Sequence, residues 1–136
     1  MSTRSRIGIV RDNSKIEHIY CHSDGYPAWN GKILENHYQD IDKINQLIAL
    51  GDISSLDAEI GETHNFNDLD KNWVRSYGRD RGETCVASIF SENKKEYIRV
   101  AENSWAEYLY LFQDKWFVYA VNDKNPKWRT VKETLK

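Results

Sequence analysis

The chain has 136 residues, enough for one domain with a real core. Its formal charge of −2 argues against a protein that coats duplex nucleic acid, which needs a basic face to displace counterions. No apolar run approaches the roughly 18 residues of a bilayer span, residues 1–6 lack a signal-type apolar segment, and two cysteines are too few for a disulfide scaffold. These features lead to the expectation of a cytoplasmic protein without a membrane partner.

In chain order, Ile7, Ile9 and Val10 form a short apolar run, and residues 12–15 are turn formers. Residues 16–22 read as a second strand, so the N-terminus is predicted to be a β-hairpin. Period two puts His18, Tyr20 and His22 on one face, and Ile19 and Cys21 on the other. Gly8 leaves space for a bulky neighbour. Asp24-Gly25-Tyr26-Pro27 is a turn, after which Asn30 is expected to cap a helix over residues 31–38. Asp40 is the next cap, Ile41, Ile44, Leu47 and Ile48 keep helical spacing, and Gly51 closes that run.

Residues 51–72 read as a long irregular surface excursion. Arg79-Asp80-Arg81, bracketed by Gly78 and Gly82, reads as a tight charged loop, followed by a strand over residues 84–90 with Cys85 buried. Residues 91–100 fit helix and strand alike. Residues 108–112 and 116–121 form the clearest hairpin, apolar on both faces, so a helix is expected on at least one side. A short amphipathic segment at residues 130–135 ends the chain. The fold expectation is a single α+β domain over residues 1–136, with an antiparallel sheet of four to six strands and helices packed on one face.

The chemistry concentrates at residues 19–31, where a strand breaks at Gly25 and Pro27 and hands over to a helix. His18 and His22 lie roughly 13 Å apart along a strand, too far to share a metal, so no metal site and no cofactor are expected. His22 and Asp24 have the makings of a base and its orienting carboxylate, although a polar pair fixing the turn is preferred. Arg4, Arg6, Arg79 and Arg81 are the candidate cations, since the guanidinium fork binds phosphate or carboxylate and stacks on rings. If the arginine loop reaches the corner, Arg79 and Arg81 join Tyr26 and Trp29 around one cleft, as in nucleotide capture. The simpler alternative is that Asp80 and Glu83 neutralise both arginines. Ser2, freed by loss of Met1, would suit an N-terminal nucleophile, although nothing else in the chain supports that chemistry.

Several stretches together resemble a family of small proteins from tailed-bacteriophage genomes. They are Ser2-Thr3-Arg4-Ser5 with Ile7-Gly8-Ile9, Ile19-Tyr20-Cys21-His22 with Asp24-Gly25-Tyr26-Pro27, and Arg79-Asp80-Arg81-Gly82-Glu83. Further similar stretches are residues 31–34 with His37-Tyr38, residues 50–56, and residues 108–112 with Lys115-Trp116, so nearly the whole chain is covered. Relatives usually carry Trp where this chain has Ser23; if that Trp stacks on a ligand in the family, this chain either has a different ligand choice or has lost the role. The resemblance implies a phage protein acting in the cytoplasm of an infected bacterium, and brings no mechanism with it.

The leading expectation is a non-enzymatic protein that binds a small anionic or nucleotide-like ligand, such as a host defence signal. Its expected contacts are Arg4, Tyr20, His22, Asp24, Tyr26, Trp29, Arg79 and Arg81. The alternatives are a protein-binding inhibitor of a host enzyme working through the aromatic hairpin at residues 108–119, and a small hydrolase using His22 or Ser2. A homodimer with a shared pocket is left open.

Overall fold

The computed structural model describes residues 3–68 and 72–136. Two hairpins form its centre. β1 (Ser5–Val10) pairs antiparallel with β2 (Ile16–Cys21), Gly8 facing His18. β6 (Tyr108–Gln113) pairs with β7 (Lys115–Ala120) across a turn at Asp114. Both hairpins were legible in the sequence. They join through a parallel contact between β1 and β6, with Ile7 beside Tyr110.

Around them, β3 (Ile53–Ser55) lies parallel to the end of β2 and pairs with β4 (Arg75–Ser76). β5 (Ile89–Ser91) takes the first half of the same β2 edge, and β8 (Trp128–Thr130) pairs with β7. The α+β expectation holds, but among the described residues the sheet has eight strands and is mixed, ordered β4-β3-β2-β1-β6-β7-β8 with β5 beside β2. The extra strands are two or three residues long, too short to show a periodicity.

Helices cover both faces, where one was expected. A π-helical turn, Pro27–Gly31, leads into α1 (Lys32–His37), followed by α2 (Ile41–Ala49). Leu34, Tyr38, Ile44, Leu47 and Ile48 from these elements, with Val131 of α5 (Val131–Thr134), pack on Ile7, Ile9, Ile19, Cys21 and Tyr110. On the opposite face, Tyr97 and Ala101 of α4 (Lys94–Asn103) pack on Ile16, Leu109 and Leu111. Apolar residues on both sides of β6 require this, because a sheet face rich in Leu must be covered.

Asp40 caps α2 as foreseen, accepting from the Asp42 N–H, and Gly51 closes it at φ +75°. Asn30 caps nothing; buried, it donates to the Ser23 carbonyl and the Cys21 sulfur. The Arg-Asp-Arg segment is helical: α3 (Tyr77–Arg81) is capped by Ser76 and stopped by Gly82 at φ +74°. Residues 84–88 are irregular, so only β5 survives of the strand expected there, and Cys85 is exposed with φ +61°. The excursion at residues 51–72 contains β3. The aromatic hairpin is largely buried, Tyr110 and Trp116 completely, so it offers no exposed aromatic face to a host protein.

Candidate ligand-binding site

Alternation along β1 sends Ile7 and Ile9 into the core under α1 and α2, and Arg6 and Gly8 to the α4 side. Across the hairpin, Arg6 stands opposite Tyr20 and Gly8 opposite His18. A Cβ at Gly8 would sit 3.1 Å from both the His18 Cβ and the Tyr97 hydroxyl. The bare glycine lets the Tyr97 ring lie over the His18 ring, with centroids 4.5 Å apart.

Beneath Tyr97 lies a buried polar chain. Arg6, 6% exposed, donates from Nε to His18 Nδ1 at 2.8 Å, and His18 Nε2 meets Ser91 Oγ at 2.8 Å. Arginine can only donate, so Nδ1 accepts and the imidazole proton resides on Nε2, directed at Ser91. Burial first, and then the Arg6 charge, lower the His18 pKa to about 3. A histidine held neutral by an arginine cannot act as the base of a Ser-His-carboxylate triad. It has a different consequence, which is pH-dependent stability. The folded pKa lies below the unfolded value of about 6.5, so this stabilisation is complete above that pH and declines as pH falls toward about 3. Urea titrations from pH 7 to 4 are expected to show this decline in the native protein and a weaker one in His18→Gln.

Burial also lowers the Arg6 pKa, opposed by Tyr97, Asp52 and Tyr20. Among the described residues, hydrogen bonding to Arg6 engages its Nε alone, and no carboxylate comes within ion-pair distance. A buried arginine without a bonded anion is costly unless something else meets its fork.

One step along the same face stand Arg4, Tyr20 and His22. The Tyr20 hydroxyl shares a 2.9 Å hydrogen bond with His22 Nδ1, while Asp52 Oδ1 accepts from the Tyr20 N–H. Burial raises the Tyr20 pKa, the adjacent Arg4 guanidinium opposes the rise, and Tyr77 of α3 adds to it. Arg4 faces the same Tyr20 oxygen, so Arg4, Tyr20 and His22 form one polar cluster. His22 therefore partners Tyr20 and not Asp24, which is exposed at φ +55°.

The wall beside Arg4 is Trp105. α4 ends in a left-handed cap: Ala106 N–H reaches back to the Ala101 carbonyl at 3.0 Å, and Trp105 occupies the αL position at φ +62°. Glycine is the usual residue there, because a Cβ is strained. Here the position carries an indole that is 77% exposed, the highest value among the exposed large hydrophobics. Trp105 shares a pocket of about 520 Å³ with Arg4, Glu102, Glu107, Val121 and Asn122. The main chain ties the two walls together, since Glu107 N–H donates to the Arg4 carbonyl at 2.8 Å. Trp105→Gly is expected to raise stability by about 1 kcal/mol by relieving the αL strain, and to abolish any ligand-induced fluorescence change at this site. Thermal melts and fluorescence titration read the two effects separately.

The remaining expected contacts lie elsewhere. Trp29, half exposed, lines a different groove of about 310 Å³ with Lys32, Ile33, His37, Asp57 and Ala58. Tyr26 is 37% exposed in the turn that leads to α1. Arg79 is a structural clamp: it bonds both Asp80 oxygens and the Ile60 and Val74 carbonyls. Arg81 pairs with Glu83 and lies over the Phe66 and Tyr77 rings. The cleft expected to unite Arg79 and Arg81 with Tyr26 and Trp29 is therefore replaced by separate local arrangements. Of the expected set, the structure brings together Arg4, Tyr20 and His22. Ser2 lies outside the described residues. Cys21 is buried as expected, its thiol pKa pushed up to about 11 by burial.

Sequence reasoning missed Trp105 altogether, since an αL cap leaves no periodic signal. The same-face spacing of Arg4 and Arg6 was readable, but the burial of Arg6 against His18 was not. Among the described residues, no group of three or more His, Cys, Asp or Glu is placed to hold a metal ion, and no helix is long and apolar enough to cross a membrane. Compared with protein-family models, with curated proteins and with solved structures, the chain matches none.

Proposed function

We propose that this protein binds a small, planar, nucleotide-like ligand bearing an anionic group, and does so without chemistry. The observation that carries the reading is the pairing of Arg4 with Trp105 in one pocket, the tryptophan held in a strained backbone position with its ring in solvent. Strain retained at an exposed aromatic suits a stacking surface, and an arginine without a carboxylate partner among the described residues suits an anion. Arg6 lies about 7 Å further along the same strand face, buried against His18, and Tyr20 with His22 stands beside Arg4. On the bacteriophage resemblance, such a protein would act in an infected bacterium by sequestering a host nucleotide signal.

Calorimetry against mono-, cyclic and ADP-ribose-type nucleotides tests the proposal. At least one is expected to bind with micromolar affinity and to be recovered unchanged, with Trp105→Ala weakening it about tenfold. Silence across the panel overturns the reading, as does binding that Trp105→Ala leaves intact.

A further inference from the structure

We infer that the planar part of the ligand is a guanine base; this rests on the ligand reading above and names what the same pocket selects. The pocket beside Trp105 contains two carboxylates, Glu102 and Glu107, against the single cation Arg4. Among the described residues neither glutamate forms an ion pair, and Glu107 is half-buried. A lining with more acid than base disfavours a plain inorganic anion. It favours a molecule with an anion at one end and a hydrogen-bond donor edge at the other.

Ionised carboxylates only accept. The Watson–Crick edge of guanine places N1–H and the N2 amino group side by side, so two carboxylate oxygens meet two donors, as they do with a guanidinium. Adenine and cytosine each set an amino donor beside a ring nitrogen lone pair, which a carboxylate repels. Hypoxanthine keeps N1–H and lacks the amino group. With the base stacked on Trp105 and its edge on a glutamate, Asn122 can donate to O6, and the phosphate falls to Arg4. The volume of about 520 Å³ lies within the usual range for a small-molecule site.

The test is calorimetry of the full chain with GMP, IMP, AMP and inorganic phosphate, repeated on Glu102→Gln and Glu107→Gln. GMP is expected to bind about tenfold tighter than IMP and at least about 30-fold tighter than AMP, with phosphate weakest. At least one glutamine variant is expected to bring the GMP preference over AMP below threefold without changing the melting temperature. AMP binding as tightly as GMP overturns the guanine assignment and leaves the ligand site standing, as does a preference that both variants retain. Silence to all three nucleotides, with the wider panel also silent, overturns the assignment and the ligand reading together.

Discussion

Arg4→Ala is expected to weaken ligand binding by about 30-fold or more and to leave the fold untouched. A charge-assisted hydrogen bond from a guanidinium contributes about 1.5–3 kcal/mol, and 2 kcal/mol corresponds to about 30-fold in affinity. The structural contribution of Arg4 is made mainly by its backbone, whose carbonyl accepts from Glu107 N–H and survives the substitution. Its side chain lies against the Tyr20 hydroxyl, and no carboxylate among the described residues is left unpaired by its removal. Arg4→Lys is expected to recover only part of the affinity, because an ammonium keeps the charge and loses the planar fork. Calorimetry and thermal melts on the three proteins decide this. A loss below threefold, or a melting temperature falling in step with affinity, would assign Arg4 a structural role.

Arg79→Ala is expected to do the reverse. Its partner Asp80 has a fully buried side chain that also accepts from the Ser76 and His64 N–H groups. Burial alone would raise the Asp80 pKa, but the hydrogen bond from Arg79 and those two backbone donors outweigh it, so the pKa is lowered overall. Removing the guanidinium strands a buried charge and releases the Ile60 and Val74 carbonyls, which tie those two positions to α3. Breaking such a pair costs about 3–5 kcal/mol, which for a chain of this length is a fall of about 10 °C or more in melting temperature. The same pair sets a pH window. Asp80 stabilises the fold fully above its unfolded value near pH 4, and that contribution is lost as pH falls through the lowered folded value. Arg81→Ala is the control: its pair with Glu83 is partly exposed, and such pairs contribute about 1 kcal/mol or less. Equal melting temperatures for the two variants would contradict the clamp.

The contrast between Arg4 and Arg79 shows what the sequence could and could not reveal. Apolar alternation identified the central hairpins, and helical spacing with Asp40 and Gly51 identified α2, because these elements are several residues long and bury a face. Same-face reasoning placed Tyr20 and His22 together for the same reason. The arginines of residues 79–81 misled because charge and flanking glycines suggest a loop, while the Ser76 cap and the Gly82 stop, both visible, mark a one-turn helix. Whether a guanidinium is free or clamped depends on carbonyls five and nineteen residues away, and no local pattern records that. Trp29 and Trp105 illustrate the same limit. The first stood in a stretch dense with polar and aromatic residues and drew attention; the second follows a helix whose left-handed cap brings it beside Arg4 from the far end of the chain.

The most direct test of the site is a two-dimensional NMR titration of the protein with GMP, following the indole N–H signals of the five tryptophans, each assigned by substitution. Shifts at Trp105, together with the Arg4 Nε signal, and silence at Trp29 are the expected result. Saturable shifts at Trp29 with Trp105 unmoved would place the ligand in the groove under α1 and contradict the assignment of the shelf beside Arg4.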